Sequence, residues 1–209
     1  MKIIVFGDSV AYGAWDLEGG WVQRLRKFLD KKVLDSNYDF FCLLYNCGIS
    51  GDTTEDLLRR FEFETNIRGA GLIVFEIGIN DSVHLLKENK NWVDIKIFEN
   101  NLKKLIKISQ NFTSKIIFVS LTPVDESKVT PIPWDKDKYY TNENIKKYND
   151  IIKNTCKENN IYFIETFDSF MKNDYKKLLE DGLHPNTKGH EMIFNTVKDF
   201  LIKNKIISG

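Results

Sequence analysis

Apolar runs of strand length alternate with helical stripes from one end of the chain to the other, and this alternation is the strongest constraint on its fold. Residues 2–6 (KIIVF) form a short apolar run that stops at Gly7, as a buried strand does. Trp21, Leu25 and Phe28 then recur at i, i+4 and i+7, the spacing of an amphipathic helix with its apolar side in the core. Residues 38–45 (YDFFCLLY) read as a second strand, and 53–61 as a short helix opening on a Thr53/Asp56 cap. Residues 72–77 (LIVFEI) read as a third strand. Phe98, Leu102, Leu105 and Ile106 form the next helical stripe. Residues 115–119 (KIIFV) and 161–164 (IYFI) supply the fourth and fifth strands, with a helix marked by Ile145, Tyr148 and Ile152 between them. Ile193, Val197, Phe200 and Leu201 mark the last helix. Strands joined by helices pair in parallel, and such a sheet is covered on both faces. The expectation is one three-layer α/β domain over residues 1–209, with five parallel strands.

A chain of this length can bury about 70% of its unfolded surface, so one core suffices without staples. Thirty basic and thirty acidic residues cancel. That balance argues against a nucleic-acid partner, which needs surplus Lys and Arg to displace counterions. No segment approaches the apolar length of a membrane span, so no stable membrane insertion is expected. The first apolar run is too short for a signal peptide. Three cysteines, Cys42, Cys47 and Cys156, show no CxxC pairing and fit a reducing compartment, so a cytoplasmic location is expected. Oligomeric state is not encoded in any pattern here. One long irregular segment stands out at residues 123–140, with Pro123, Pro131, Pro133, Trp134, Tyr139 and Tyr140. Long loops of this kind are usually functional or mobile.

In an open parallel sheet, ligands bind beyond the carboxyl ends of the strands. The residues just after each strand therefore matter most. They are Gly7-Asp8-Ser9, then residues 46–51 (NCGISG), then Gly78-Ile79-Asn80-Asp81, then Thr122-Pro123 and the long loop, and finally, past a short helical stretch after the fifth strand, Asp181-Gly182-Leu183-His184-Pro185. A serine, a Gly-rich turn, an asparagine and an Asp/His pair thus share one rim.

This set has a chemical reading. A serine hydroxyl is a poor nucleophile until an imidazole takes its proton. The imidazole needs an acceptor that fixes its tautomer. The developing oxyanion needs fixed N–H donors. Ser9, His184, Asp181, the Gly48 N–H and the Asn80 side chain supply each part once.

The four blocks resemble those of the SGNH (GDSL-type) hydrolase family. Its name lists a Ser, a Gly, an Asn and a His, matched here by Ser9, Gly48, Asn80 and His184. The first block departs at Val10, where Leu is commoner. The second is matched by Asn46, Gly48 and Gly51, the third by residues 78–81, and the last, Asp-x-x-His, by Asp181 and His184. The resemblance runs from residue 3 to about 200 and keeps the motif order. It implies a flavodoxin-like sandwich with strand order 2-1-3-4-5. It implies a carboxylic-ester hydrolase with Ser9 as nucleophile, His184 as general base and Asp181 as its orienter. The Ser9 N–H, the Gly48 N–H and the Asn80 side chain would form the oxyanion hole. No cofactor or metal is implied, and the partner is a small-molecule ester.

Simpler readings apply to other residues. Asp8 is expected to bond nearby backbone, Gly51 to serve a turn, and Asp81 to cap a helix. His84 and His190 are expected at the surface or in a pocket wall, and three scattered histidines without HExxH do not suggest zinc. Cys47 reads as a small buried thiol. Tyr12, Trp15, Ile79, Trp134 and Tyr139 are the candidates for lining a substrate pocket. Residues 125–140 are expected to move over the cleft and set substrate preference. Rival functions are acyl transfer, carbohydrate deacetylation or thioester cleavage by the same residues, or a flavodoxin-like binding domain without catalysis.

Overall fold

The structure is a computed structural model and describes residues 1–207. The chain opens with β1 (Lys2–Gly7), α1 (Ser9–Tyr12), α2 (Gly20–Asp35), β2 (Leu43–Gly48), α3 (Thr54–Arg68) and β3 (Leu72–Glu76). Two short strands follow, β4 (His84–Leu85) and β5 (Lys90–Asn91), then α4 (Ile95–Ser109), β6 (Ile116–Val119), α5 (Glu126–Val129) and β7 (Lys138–Tyr139). The last part holds α6 (Asn142–Glu158), β8 (Tyr162–Ile164), α7 (Phe167–Met171), a 3-10 turn at Tyr175–Leu178 and α8 (Thr187–Lys203).

The main sheet is five-stranded and parallel, in the order β2-β1-β3-β6-β8. Counted among themselves, these strands run 2-1-3-4-5. The alternation of side chains along each strand splits the core in two. Ile4, Phe6, Ile73, Phe75, Ile116 and Phe118 face helices α3, α4 and α6. Ile3, Val5, Leu72, Val74, Ile117 and Val119 face α2 and α8. Both sides of a strand are apolar because both are covered, which is why these strands read as unbroken apolar runs. Capping fixes where the helices start. Thr53 and Asp56 form a capping box on α3, and the Asn186 side chain accepts from the backbone of Lys188 and Gly189 at the start of α8.

Two sequence expectations shift. The second strand begins at Leu43, not at residue 38. Asn37 and Tyr38 have positive φ, and the Tyr38 N–H donates to Val33 O at 2.9 Å, so the aromatic run YDFF closes α2 with a turn. The segment after β6 is not irregular throughout. It contains α5 and β7, and β7 joins β4 and β5 in a three-stranded antiparallel sheet. His84 pairs with Asn91 on one side and Tyr139 on the other.

At the carboxyl end of the main sheet, α1 crosses close over β2. A Cβ at Gly48 would lie 2.4 Å from the Tyr12 nitrogen and 2.9 Å from Asp8 O. Those neighbours are backbone and cannot turn aside. Gly48→Ala should therefore destabilise by about 3 kcal/mol and lower the thermal midpoint by about 6–12 °C. A calorimetric scan checks this; an unchanged midpoint would mean that the crossing has slack.

Candidate active site

Ser9 follows β1 directly and is the first residue of α1. Asp8 caps that short helix, its Oδ1 accepting the Val10 N–H at 3.0 Å. At the other end of the chain, residues 181–184 form a tight turn. Gly182 takes φ 95°, which a side chain would resist. Asp181 Oδ1 accepts the backbone N–H of Leu183 at 2.9 Å and of His184 at 2.8 Å. Its Oδ2 lies 2.7 Å from His184 Nδ1. His184 Nε2 in turn lies 3.0 Å from Ser9 Oγ. Burial pushes the Asp181 carboxyl up, but the hydrogen bonds from His184 and Leu183 outweigh it and hold the group down at about 2. An ionised carboxylate on one ring nitrogen fixes the proton there. The other nitrogen is then free to accept the Ser9 proton.

Asn80 stands on the same rim, beyond β3. Its Nδ2 donates to Asp52 O at 2.9 Å, and its Oδ1 accepts from the Tyr140 hydroxyl at 2.9 Å. An amide nitrogen carries a second N–H, and the Asn80 side chain borders the cleft. The Gly48 N–H is already donated to Asn46 Oδ1 at 2.9 Å. The Ser9 N–H opens a helix and has no intrahelical partner.

Around Ser9 and His184 lies a cleft of about 1080 Å³. Tyr12, Trp15 and Trp134 line it. Trp15 holds a left-handed backbone, φ 65°, and its ring stands edge-on to His184 with centroids 5.9 Å apart. Strain at a bulky residue beside a reactive group is characteristic of functional rims. Two candidates do not line the cleft. Ile79 is buried in the core on the α3/α4/α6 side. Tyr139 packs on His84, with ring centroids 4.8 Å apart, because β7 pairs with β4 and turns alternate residues to opposite faces. Its neighbour Tyr140 lines the cleft instead, with Leu17, Trp92, Ile132 and Lys138. None of these was marked by a local motif. Lys138 Nζ sits 4.1 Å over the Trp92 ring, so the two brace one wall.

Residues 125–140 are not free of the rest. Val129, Ile132 and Tyr140 are buried in the core. The Tyr140 N–H donates to Val129 O at 3.1 Å, and the Thr130 hydroxyl donates to Tyr140 O at 2.6 Å. The expectation of a segment moving freely over the cleft is therefore corrected, because its apolar residues are packed rather than displayed.

Two carboxyl groups are buried beneath the rim. Asp8 and Glu76 are both fully enclosed at adjacent strand ends. Burial, with repulsion from Asp81 and Asp52 adding to it, raises Asp8 to about 7, and burial with repulsion from Asp8 raises Glu76 well above the carboxylate range. Asp81 accepts from Thr54 N–H at 3.0 Å and from the Thr54 hydroxyl, so it anchors the start of α3. His190 is not at the surface or in the wall. It is buried, its Nδ1 accepts the Trp21 N–H at 3.3 Å, and burial drops it to about 4. His84 is half-buried in β4. Cys47 is buried, which raises its thiol to about 11. Among the described residues, no three His, Cys, Asp or Glu side chains converge as metal ligands would. No helix among them is long and apolar enough to cross a membrane.

With the fold and rim in view, their counterparts are recognisable. The architecture is that of a lipase/acylhydrolase from Enterococcus faecalis, with TM-score 0.77 at 23% identity over 97% of this chain and 96% of that one. In sequence, the chain is 26% identical to the GDSL esterase/lipase CPRD49 of Arabidopsis thaliana, covering 92% of this chain and 75% of the relative. It is 26% identical to an acetylxylan esterase of Geobacillus stearothermophilus, covering 71% and 67%. These likenesses define a hydrolase of ester bonds. The model of the GDSL-like Lipase/Acylhydrolase family matches residues 5–192, and the chain belongs to that family.

Proposed function

We propose that the chain hydrolyses carboxylic esters through an acyl-enzyme on Ser9. The observation that carries this is the unbroken relay from Asp181 through His184 to Ser9, at 2.7 and 3.0 Å, opening on the cleft. Ser9 Oγ attacks the ester carbonyl carbon as its proton passes to His184 Nε2. The tetrahedral oxyanion is held by the Asn80 Nδ2 and the Ser9 N–H. The Gly48 N–H joins by sharing its proton between Asn46 and the anion. The carbon–oxygen bond to the alcohol then breaks, and the alcohol leaves with the proton from His184. Water repeats the sequence on the acyl-enzyme and frees the acid.

The cleft supports a short acyl group on a bulky ring alcohol, such as an acetylated sugar. Its walls offer the faces of Tyr12, Trp15, Trp92 and Trp134, all substantially exposed. Flat aromatic faces suit the C–H face of a sugar ring better than a long flexible chain. The relative named as an acetylxylan esterase points the same way. The test is an ester panel running from acetyl to long acyl groups, with simple and sugar alcohols. Turnover should be highest for acetate and fall with chain length. A pure protein that cleaves none of them would sink the proposal.

The pH profile follows from the relay. Asp181 is ionised above about 2, so it does not titrate across the working range. His184 must be neutral to accept the proton. Activity should therefore rise with pH through one ionisation, with limiting slope one in log kcat/KM. Two ionisations on the acid limb, or a flat profile with chemistry rate-limiting, would contradict this.

A further inference from the structure

We propose that Tyr140 is a positioning residue for the reaction. Its buried hydroxyl holds the Asn80 amide in place and strengthens Nδ2 as a donor to the oxyanion. The inference rests on the reading of Asn80 given under Proposed function.

The Asn80 side chain is held at both ends. Asp52 O is an acceptor only, so the group facing it at 2.9 Å must be Nδ2. The Oδ1 end then faces the Tyr140 hydroxyl at 2.9 Å, and the phenol must be the donor. Tyr140 is suited to that duty. It is buried, and burial together with the charges of Asp8 and Asp181 raises its pKa, so the O–H stays protonated at working pH. Its backbone is pinned by Val129 and Thr130, so the hydroxyl does not wander. A proton donated to an amide oxygen draws electron density from the nitrogen. The N–H then becomes a better donor, the usual cooperativity of linked hydrogen bonds. The effect is greatest when negative charge develops opposite Nδ2, so it belongs to the transition state more than to bound ester.

The test is a double-mutant cycle. Tyr140→Phe removes the hydroxyl and keeps the ring. Its kcat on a chromogenic acetate should fall about 10-fold, with KM within about twofold of the parent. In the Asn80→Ala background the same change should cost nothing further. The side-chain amide resonances of Asn80 in nitrogen-15-labelled protein should also shift in Tyr140→Phe, a readout independent of turnover. Parental kcat in Tyr140→Phe overturns the inference. So does an equal loss in both backgrounds, the signature of a merely structural role. Unmoved Asn80 resonances overturn it as well, even in a variant too unstable to assay. If Asn80→Ala itself keeps full kcat, the oxyanion assignment fails and this inference fails with it. If Asn80→Ala is slow but Tyr140→Phe is not, only this inference fails.

Discussion

Ser9→Ala should lower kcat/KM on an activated acetate by at least about 10³-fold while the protein stays folded. Ser9 Oγ is the proposed attacking atom, and no other hydroxyl lies within reach of His184 Nε2 among the hydrogen bonds of the described residues. Losing it removes the covalent route and leaves only the field of the oxyanion donors acting on water. The stability cost is small. The hydroxyl makes one side-chain hydrogen bond at a cleft that solvent enters, and alanine suits a first helical turn. A thermal midpoint close to the parent, with activity lost, is the expected pair of results. Quenched parent enzyme on a slowly deacylating ester should also carry the acyl mass on the peptide holding Ser9, and the variant should not. Undiminished turnover by carefully purified Ser9→Ala would remove the nucleophile from this reading.

Asn80→Ala should lower kcat by about 10²- to 10³-fold with little change in KM. The amide is fixed before substrate arrives, by Asp52 at one end and Tyr140 at the other. A donor already in place loses nothing to reorganisation when charge appears, and that is why its removal is costly. It is also the least replaceable of the three donors, because the Gly48 N–H is shared with Asn46. The variant should lose some stability too. The buried Tyr140 hydroxyl loses its acceptor, a cost of about 1–3 kcal/mol. Steady-state kinetics well below the midpoint separate the two effects. A rise in KM at constant kcat would instead make Asn80 a substrate-binding group.

The sheet is legible in the sequence because its strands are buried on both faces, and an unbroken apolar run such as LIVF signals that burial directly. The rim is legible because strand ends are the places where a parallel sheet exposes chemistry, and Ser9 and Asn80 lie just beyond β1 and β3, while His184, in the loop before α8, is marked by its Asp-x-x-His spacing. What the sequence does not display is pairing at a distance. Tyr140 lies 60 residues from Asn80, and nothing local marks either as the other's partner. The choice between Tyr139 and Tyr140 depends on which face of β7 meets the cleft, and that is settled by pairing with β4, a strand of only two residues. His190 shows the same limit. Its helix places it opposite the Trp21 backbone, 169 residues away, and no periodic signal distinguishes a core histidine from a wall histidine. The strand expected at residue 38 fails for a local reason. Its aromatics suit a strand, but the left-handed turn at Asn37 and Tyr38 has already claimed the backbone.

Ser9 and His184 touch although they lie 175 positions apart, so the strand that leads to one is made well before the loop that carries the other. On the proposed relay, a chain still leaving the ribosome can therefore build β1, β2 and their covering helix before it has any power to cleave an ester. On the proposed relay, activity appears only when the 181–184 loop closes on Ser9. Turnover in a translation reaction would thus serve as a clock for complete folding rather than for synthesis.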